Sequence, residues 1–273
     1  MLGTFTRRSK IPRTVLICHH DEPLNRIGLA RWLSSFTELA GVIVIREPKA
    51  ALWTRIRREA RRGGLLGLLD VLAFRLYYRF ALASADNAWS KSTLQELLRR
   101  YDPVPAWTQI LETASPNSPE TLKLLQQVQP EIILARCKKI LRKEIFQSAS
   151  VGTFVMHPGI CPEYRNAHGC FWALVSRDLD NVGMTLLRVD TGVDTGPVYG
   201  YYRYRYDEMR ESHAVIQDRV VFDNLGALRA KFREISAGCA QVIETSGRNS
   251  RTWGQPRLTS YLHWKRAAGR RAG

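Results

Sequence analysis

Paired cysteines, a glycine-rich phosphate loop and a long uninterrupted apolar run are all missing from this sequence, and each gap removes a class of protein. The five cysteines (Cys18, Cys137, Cys161, Cys170 and Cys239) are odd in number and show no CxxC or Cys/His ligand spacing. That argues against a disulfide framework and a metal site of the zinc type, and makes a reducing cytoplasm the expected compartment. The first twenty residues are basic but contain only the short apolar run VLIC, so no secretory signal is expected. The longest apolar stretch, Leu65 to Ala83, is interrupted by Asp70, Arg75 and Arg79, which speaks against a membrane-spanning helix. Acidic residues are scarce: 25 Asp and Glu stand against 41 Lys and Arg, a formal charge of +16. Such a field attracts phosphates, nucleic acid or anionic lipid without choosing among them.

What is present describes a folded chain. With 273 residues, 45% hydrophobic and 24% charged, it can bury one large core without staples. TVLIC (14–18), helical spacing through Leu29, Trp32, Leu33 and Phe36, and a second apolar run at 41–45 make a β-α-β opening. Apolar runs of this kind suit strands buried on both faces of a parallel sheet, so a Rossmann-like three-layer α/β/α domain with a mostly parallel sheet is expected.

Residues 48–101 break the rhythm and read as a helical insertion, opening with Arg55, Arg57, Arg58, Arg61 and Arg62 and continuing through LLGLLDVLAFRLYYRFALA. The spacing fits a solvated basic face with its apolar stripe on the domain; it also fits a helix over residues 55–83 lying on an anionic membrane or an acidic partner. The α/β pattern then resumes. A helix is expected at 119–128, strands at 131–135 and 152–156 with a short helix near Lys143, and a helix over FWALVSRDL. Next come the strand GMTLLRV, a Tyr-rich strand at 198–206 and one long helix from about Ser212 to Ile235. The expected domain spans 13–240, followed by a basic arm at 241–273 that is too poor in apolar residues for a second core, packs on the domain and frays at its end.

Ligands of an open parallel sheet bind beyond the carboxyl ends of its strands. His157 follows the strand GTFVM directly, and Asp194 lies in the turn after GMTLLRV. A histidine beside a carboxylate is a general acid/base with a stabilised imidazolium. His19 and His20 follow the first strand at the same edge and read either as acceptor contacts or as exposed imidazoles at a helix entry capped by Asp21. His213 and His263 read as surface or packing residues.

Three segments, PEIILARCKKIL (130–141), GTFVMHPGICPEYRNAHGCFWAL (152–174) and GMTLLRVDTGVDTGPVY (183–199), resemble in order and spacing the catalytic core of the formyltransferase family. That family includes methionyl-tRNA, glycinamide ribonucleotide and sugar-amine N-formyltransferases. The resemblance implies a formyl group carried by 10-formyltetrahydrofolate as co-substrate, no metal, and attack by a primary amine. It implies that His157 stabilises the oxyanion while Asp194 orients it and relays the amine's proton. It further implies a folate site along Lys138, Lys139, Ile140 and Leu141 and along Asp190, Gly192 and Val193. Cys161-Pro162 matches a bond often cis in the family. The family's asparagine falls on Val155, so one oxyanion donor is replaced by an apolar side chain; Asn166 or His168 is the candidate substitute. The expected acceptor is a small amine or an amino sugar, because the tail cannot build the barrel that an initiator-tRNA enzyme of this family carries; the charge keeps aminoacyl-tRNA open. Formylfolate hydrolysis and a non-catalytic binding scaffold are the alternatives that Val155 raises.

Overall fold

The computed structural model describes the backbone of residues 11–47 and 51–272 and the side chains of 11–47 and 64–271. The arginines from Arg55 to Arg62 therefore lie outside the described side chains. Strand β1 (Arg13–His19) has Val15, Leu16, Ile17 and Cys18 fully buried, as a central strand covered on both faces requires. Beside it run β2 (Glu38–Ile45), β3 (Gln109–Thr113), β4 (Ile132–Arg136) and β5 (Gly152–His157), all parallel. A two-residue strand, β6 (Arg165–Asn166), pairs with β9 (Thr252–Trp253) outside the main sheet. Strand β7 (Met184–Arg188) runs antiparallel to β5, and β8 (Val198–Tyr202) antiparallel to β7, giving the order β3-β2-β1-β4-β5-β7-β8.

The helices are α1 (Ala30–Ser34), α2 (Ala51–Tyr77), α3 (Ala83–Arg100), α4 (Pro119–Val128), α5 (Lys143–Phe146), α6 (Gly169–Val175), α7 (His213–Phe222), α8 (Leu225–Ser236) and α9 (Leu258–Ala272). The two-residue period of the strands divides the core between two faces. Leu16, Cys18, Leu134, Phe154 and Met156 meet Trp32, Phe171, Val220, Leu228 and Phe232 on one side. Val15, Ile17, Ile133 and Ala135 meet Leu124, Leu125, Val128, Ile145 and Phe146 on the other. The bounds of α4 follow from its caps: the Ser118 hydroxyl accepts from the Thr121 N–H, Pro119 opens the first turn, and Gln129 closes the last with φ 44°.

Several expectations need correction. The Tyr-rich strand stops at Tyr202, because Tyr204 turns to α7, its hydroxyl bonded to Glu211 and its ring under Arg219 at 4.5 Å. The single helix from Ser212 to Ile235 is two, α7 and α8, broken at Asp223–Asn224, where the Asn224 amide donates to the Val220 and Arg203 carbonyls and competes with the helical ladder. The helix over FWALVSRDL ends at Val175, and Arg177 adopts φ 57°. The arm after residue 240, expected as a packed one, meets the domain through two segments, and most of residues 241–251 ahead of them is exposed. It supplies β9, and α9 buries Tyr261 and Trp264 while Trp264 donates its indole N–H to Glu208.

Candidate active site

At the carboxyl end of the central strands, His157 is 7% exposed and both its nitrogens face acceptors. Nε2 lies 2.7 Å from the Tyr164 carbonyl and Nδ1 lies 3.5 Å from Asp194 Oδ2. A carbonyl only accepts, so Nε2 carries a proton and Nδ1 is left to hold or release the second one toward the carboxylate. The 3.5 Å separation is loose for a charge-assisted hydrogen bond and leaves Nδ1 able to serve another oxygen.

Asp194 reaches His157 by an unforeseen route. Since β7 is antiparallel, its carboxyl end lies at the far edge of β5, where the Val189 N–H bonds the Thr153 carbonyl at 2.7 Å. The loop then folds back over the face of β5 that carries Val155 and His157, with Val155, Val189 and Leu141 in one apolar cluster. Asp194 takes φ 52°, and the same Oδ2 that faces His157 accepts the Asn166 backbone N–H at 2.8 Å. Asn166 and His168 also have left-handed backbones, φ 75° and 56°, which Asn, Asp and His tolerate best among residues with a side chain.

The remaining sequence-derived candidates fall as follows. Val155 packs between apolar groups on the same face of β5 as His157 and offers no hydrogen bond. The Asn166 side-chain amide is committed to the Trp253 carbonyl at 2.5 Å. Lys138 donates its backbone N–H to His19 Nε2 at 3.0 Å and its ammonium to Glu22 at 2.6 Å; Lys139 pairs with Glu47 at 3.4 Å. Ile140 is 74% exposed, its carbonyl held by Asn117, while Leu141 is buried. Asp190 Oδ1 accepts from the Gly192 N–H and the Thr195 hydroxyl, and the Val193 carbonyl accepts from Arg165. Cys161-Pro162 is cis. His19 is buried, contrary to the exposed reading, and burial lowers its basicity; Asp21 makes no helix cap. Burial pushes the Cys18 thiol up to about 12 and Cys137 up to about 11, so neither is a nucleophile near neutral pH.

Two groups of residues had no readable pattern in the sequence. Arg136, at the end of β4, donates to the Met156 carbonyl at 2.6 Å and to Asn25 Oδ1 at 3.2 Å, and lies 4.0 Å from Asp218 on α7. Burial raises the Asp218 carboxyl to about 6 against this cation. The second group is the strap contributed by the arm. Trp253 stacks on Tyr164 at 5.5 Å and on Trp172 at 5.1 Å, donates to the Glu163 carbonyl, and lies under Arg251. Arg248 grips the Glu163 carboxylate with two bonds of 2.8 and 2.7 Å.

Behind the site, His168 and His213 are both held neutral, chiefly by burial, at about 4 and about 3. His213 sits among Phe74, Tyr78, Phe171 and Tyr261. The unfolded chain protonates each ring near the ordinary value of 6.5, and the folded chain only below the lowered values, so the unfolded state binds more protons between those limits. Stability is therefore full above about pH 6.5 and falls as pH drops toward 4. His213→Phe is expected to keep the aromatic packing and flatten that loss by about one proton, measured as the slope of denaturant-derived stability against pH.

The fold and site define a Rossmann-like α/β domain with a histidine–carboxylate pair beyond its central strands. The chain belongs to the formyl transferase family, whose model matches residues 84–228 and so begins within α3, inside the segment expected as an insertion. It is 27% identical over 127 residues to a methionyl-tRNA formyltransferase of Kosmotoga olearia, covering 45% of this chain and 35% of that protein. To one of Thermus thermophilus it is 34% identical over 83 residues, 30% of this chain and 27% of the relative. The matches thus span about a quarter to a third of these relatives' length. A sugar N-formyltransferase from a Shewanella species superposes with a TM-score of 0.53 at 13% identity, over 93% of this chain and 87% of that one. A phosphoribosylglycinamide formyltransferase from Anaplasma phagocytophilum gives 0.52 at 14%, over 90% and 100%. At these identities the likeness establishes the shared fold.

Proposed function

We propose that the chain transfers a formyl group from 10-formyltetrahydrofolate to a primary amine on a small molecule or amino sugar. The observation that carries this reading is the buried His157 ring with Nδ1 3.5 Å from an Asp194 carboxylate that is itself fixed by a backbone N–H. Protonated at Nδ1, His157 offers an N–H to the acyl oxygen where negative charge develops, a term usually worth more than any other in acyl transfer. Asp194 balances the imidazolium, accepts the proton that the attacking amine gives up and passes it on to the nitrogen whose bond to the formyl carbon breaks.

The residues present fit a folate. Exposed Ile140 and Val193 offer apolar surface on the two loops whose roots pack together through Leu141 and Val189, and Lys138 and Lys139 would exchange Glu22 and Glu47 for an anionic tail. When bound, the co-substrate supplies the formyl carbon and the leaving nitrogen. The polar cluster of Arg136, Asn25 and Asp218 supports a polar acceptor at the same sheet edge.

Release of tetrahydrofolate, followed by absorbance with the full chain and a panel of nucleotide-linked amino sugars, small amines and methionyl-tRNA, tests the reading. Release that requires one of the amines supports it. Release without any amine favours formylfolate hydrolysis, and none with any acceptor favours a binding scaffold; either overturns it. Asn166, with its backbone on Asp194 and its amide on Trp253, is assigned a positioning role. Asn166→Ala is expected to lower kcat about tenfold with KM little changed, since it strains a left-handed backbone and frees the loop. Asn166→Gly, which relieves the strain, should recover part of that loss in the same assay.

A further inference from the structure

We infer that the outer face of α2 docks on an anionic lipid bilayer. Helix α2 presents two opposed apolar faces. Val71 and Phe74 are buried, Phe74 lying against Phe171, His213 and Tyr261. On the opposite side, Leu65, Leu66, Leu69 and Leu76 are 71%, 82%, 52% and 58% exposed, and Phe80, in the wide turn that follows, is 80% exposed. At about 100° per residue, Leu65, Leu69 and Leu76 fall within roughly 40° of one another, so they form one stripe. An apolar stripe of this length on a monomer marks an interaction surface.

Charge identifies the partner. Arg75 and Arg79 are exposed beside the stripe. Helix α9 packs on α2 and carries exposed Arg266, Arg270 and Arg271, and the Arg257 guanidinium lies 3.5 Å from where a side chain at Gly67 would begin. The sole acidic residue of segment 64–83 is Asp70, and it is taken up by α9: it accepts the Thr259 N–H at 3.1 Å and the Thr259 hydroxyl at 2.5 Å. The face therefore combines inserted-depth leucines with cations and no free carboxylate of its own, which is the pattern of a helix lying in the headgroup region of an acidic membrane. Pairing with a second copy would bring two sets of these arginines together on chains of +16 each. Among the described residues no helix is long and apolar enough to cross a bilayer, and the contact inferred is one with the headgroup region.

Co-sedimentation of the full chain with vesicles tests this. Binding is expected to phosphatidylcholine vesicles containing about one-third phosphatidylglycerol, to be at least ~10-fold weaker on pure phosphatidylcholine, and to fall steeply as salt is raised. The double variant Leu66→Glu, Phe80→Glu should lose at least ~10-fold in binding with its melting temperature and its activity in solution unchanged, because both side chains lie on the surface and outside the site. No binding to anionic vesicles overturns the inference, as does binding that the double variant retains. A concentration-dependent dimer in light scattering that the double variant abolishes would assign the stripe to self-association and overturn it too.

Discussion

His157→Ala is expected to lower kcat/KM for formyl transfer by about 10³-fold or more while leaving a cooperative unfolding transition. In the proposed mechanism the ring gives its N–H to the developing oxyanion, and losing one such donor costs about 10²–10³-fold even where a second remains. The Val155 side chain on the same face of β5 packs with apolar groups and adds no donor. Asp194→Asn should come close to the same loss, since an amide neither balances the imidazolium nor accepts the amine's proton. The double variant should be little worse than either single one, because the two groups act as a unit. Single-turnover measurements at saturating formylfolate check this; full additivity would show that the two side chains act separately.

Gly159→Ala is expected to damage both stability and turnover. A Cβ at this position would stand 2.5 Å from the Tyr164 carbonyl oxygen, 2.8 Å from His157 Nε2 and 2.9 Å from the Gly169 Cα. Two of these are backbone atoms, so the main chain has to move. Overpacking of this kind costs about 3 kcal/mol, and displacing the carbonyl that holds the ring should take activity down about 10²-fold, as a shift near 1 Å does elsewhere. Denaturant melts and the folate-release assay on one preparation separate the two effects. An unchanged kcat in a destabilised protein would show that the Tyr164–His157 bond does not hold the ring for catalysis.

Much of this fold is written in runs of apolar residues. TVLIC, GVIVI and the strand ending in His157 are legible because a strand covered on both faces has to be apolar throughout. Strand β3 is not, because QILET is an edge strand with Gln109, Ile110 and Glu112 exposed, and its composition is that of a loop. The break between α7 and α8 is invisible for a different reason: the apolar spacing continues across it, and the stop comes from one side-chain amide bonding nearby carbonyls. In the site, His157 and Asp194 stand out because they follow strand-like runs. The geometry that joins them does not, since it depends on an antiparallel β7, on the backbone N–H of Asn166 and on a carbonyl of Tyr164, none of which has a side-chain signature. The arm carries the weakest signal of its packing. Its few apolar residues cannot form a core of their own, but Trp253 and Trp264 complete one that already exists.

Asn166 is tied to a tryptophan 87 positions further along the chain. A ribosome that has finished the loop around His157 must still synthesise all of α7, α8 and β9 before the clasp on that loop exists. The nascent polypeptide should thus pass through a stage in which the sheet is assembled but His157 and Asp194 are unregistered, and their pairing should arrive late and abruptly during elongation. A protease cut anywhere between Ser236 and Trp253 should return the finished chain to that juvenile condition without touching a residue of the pair.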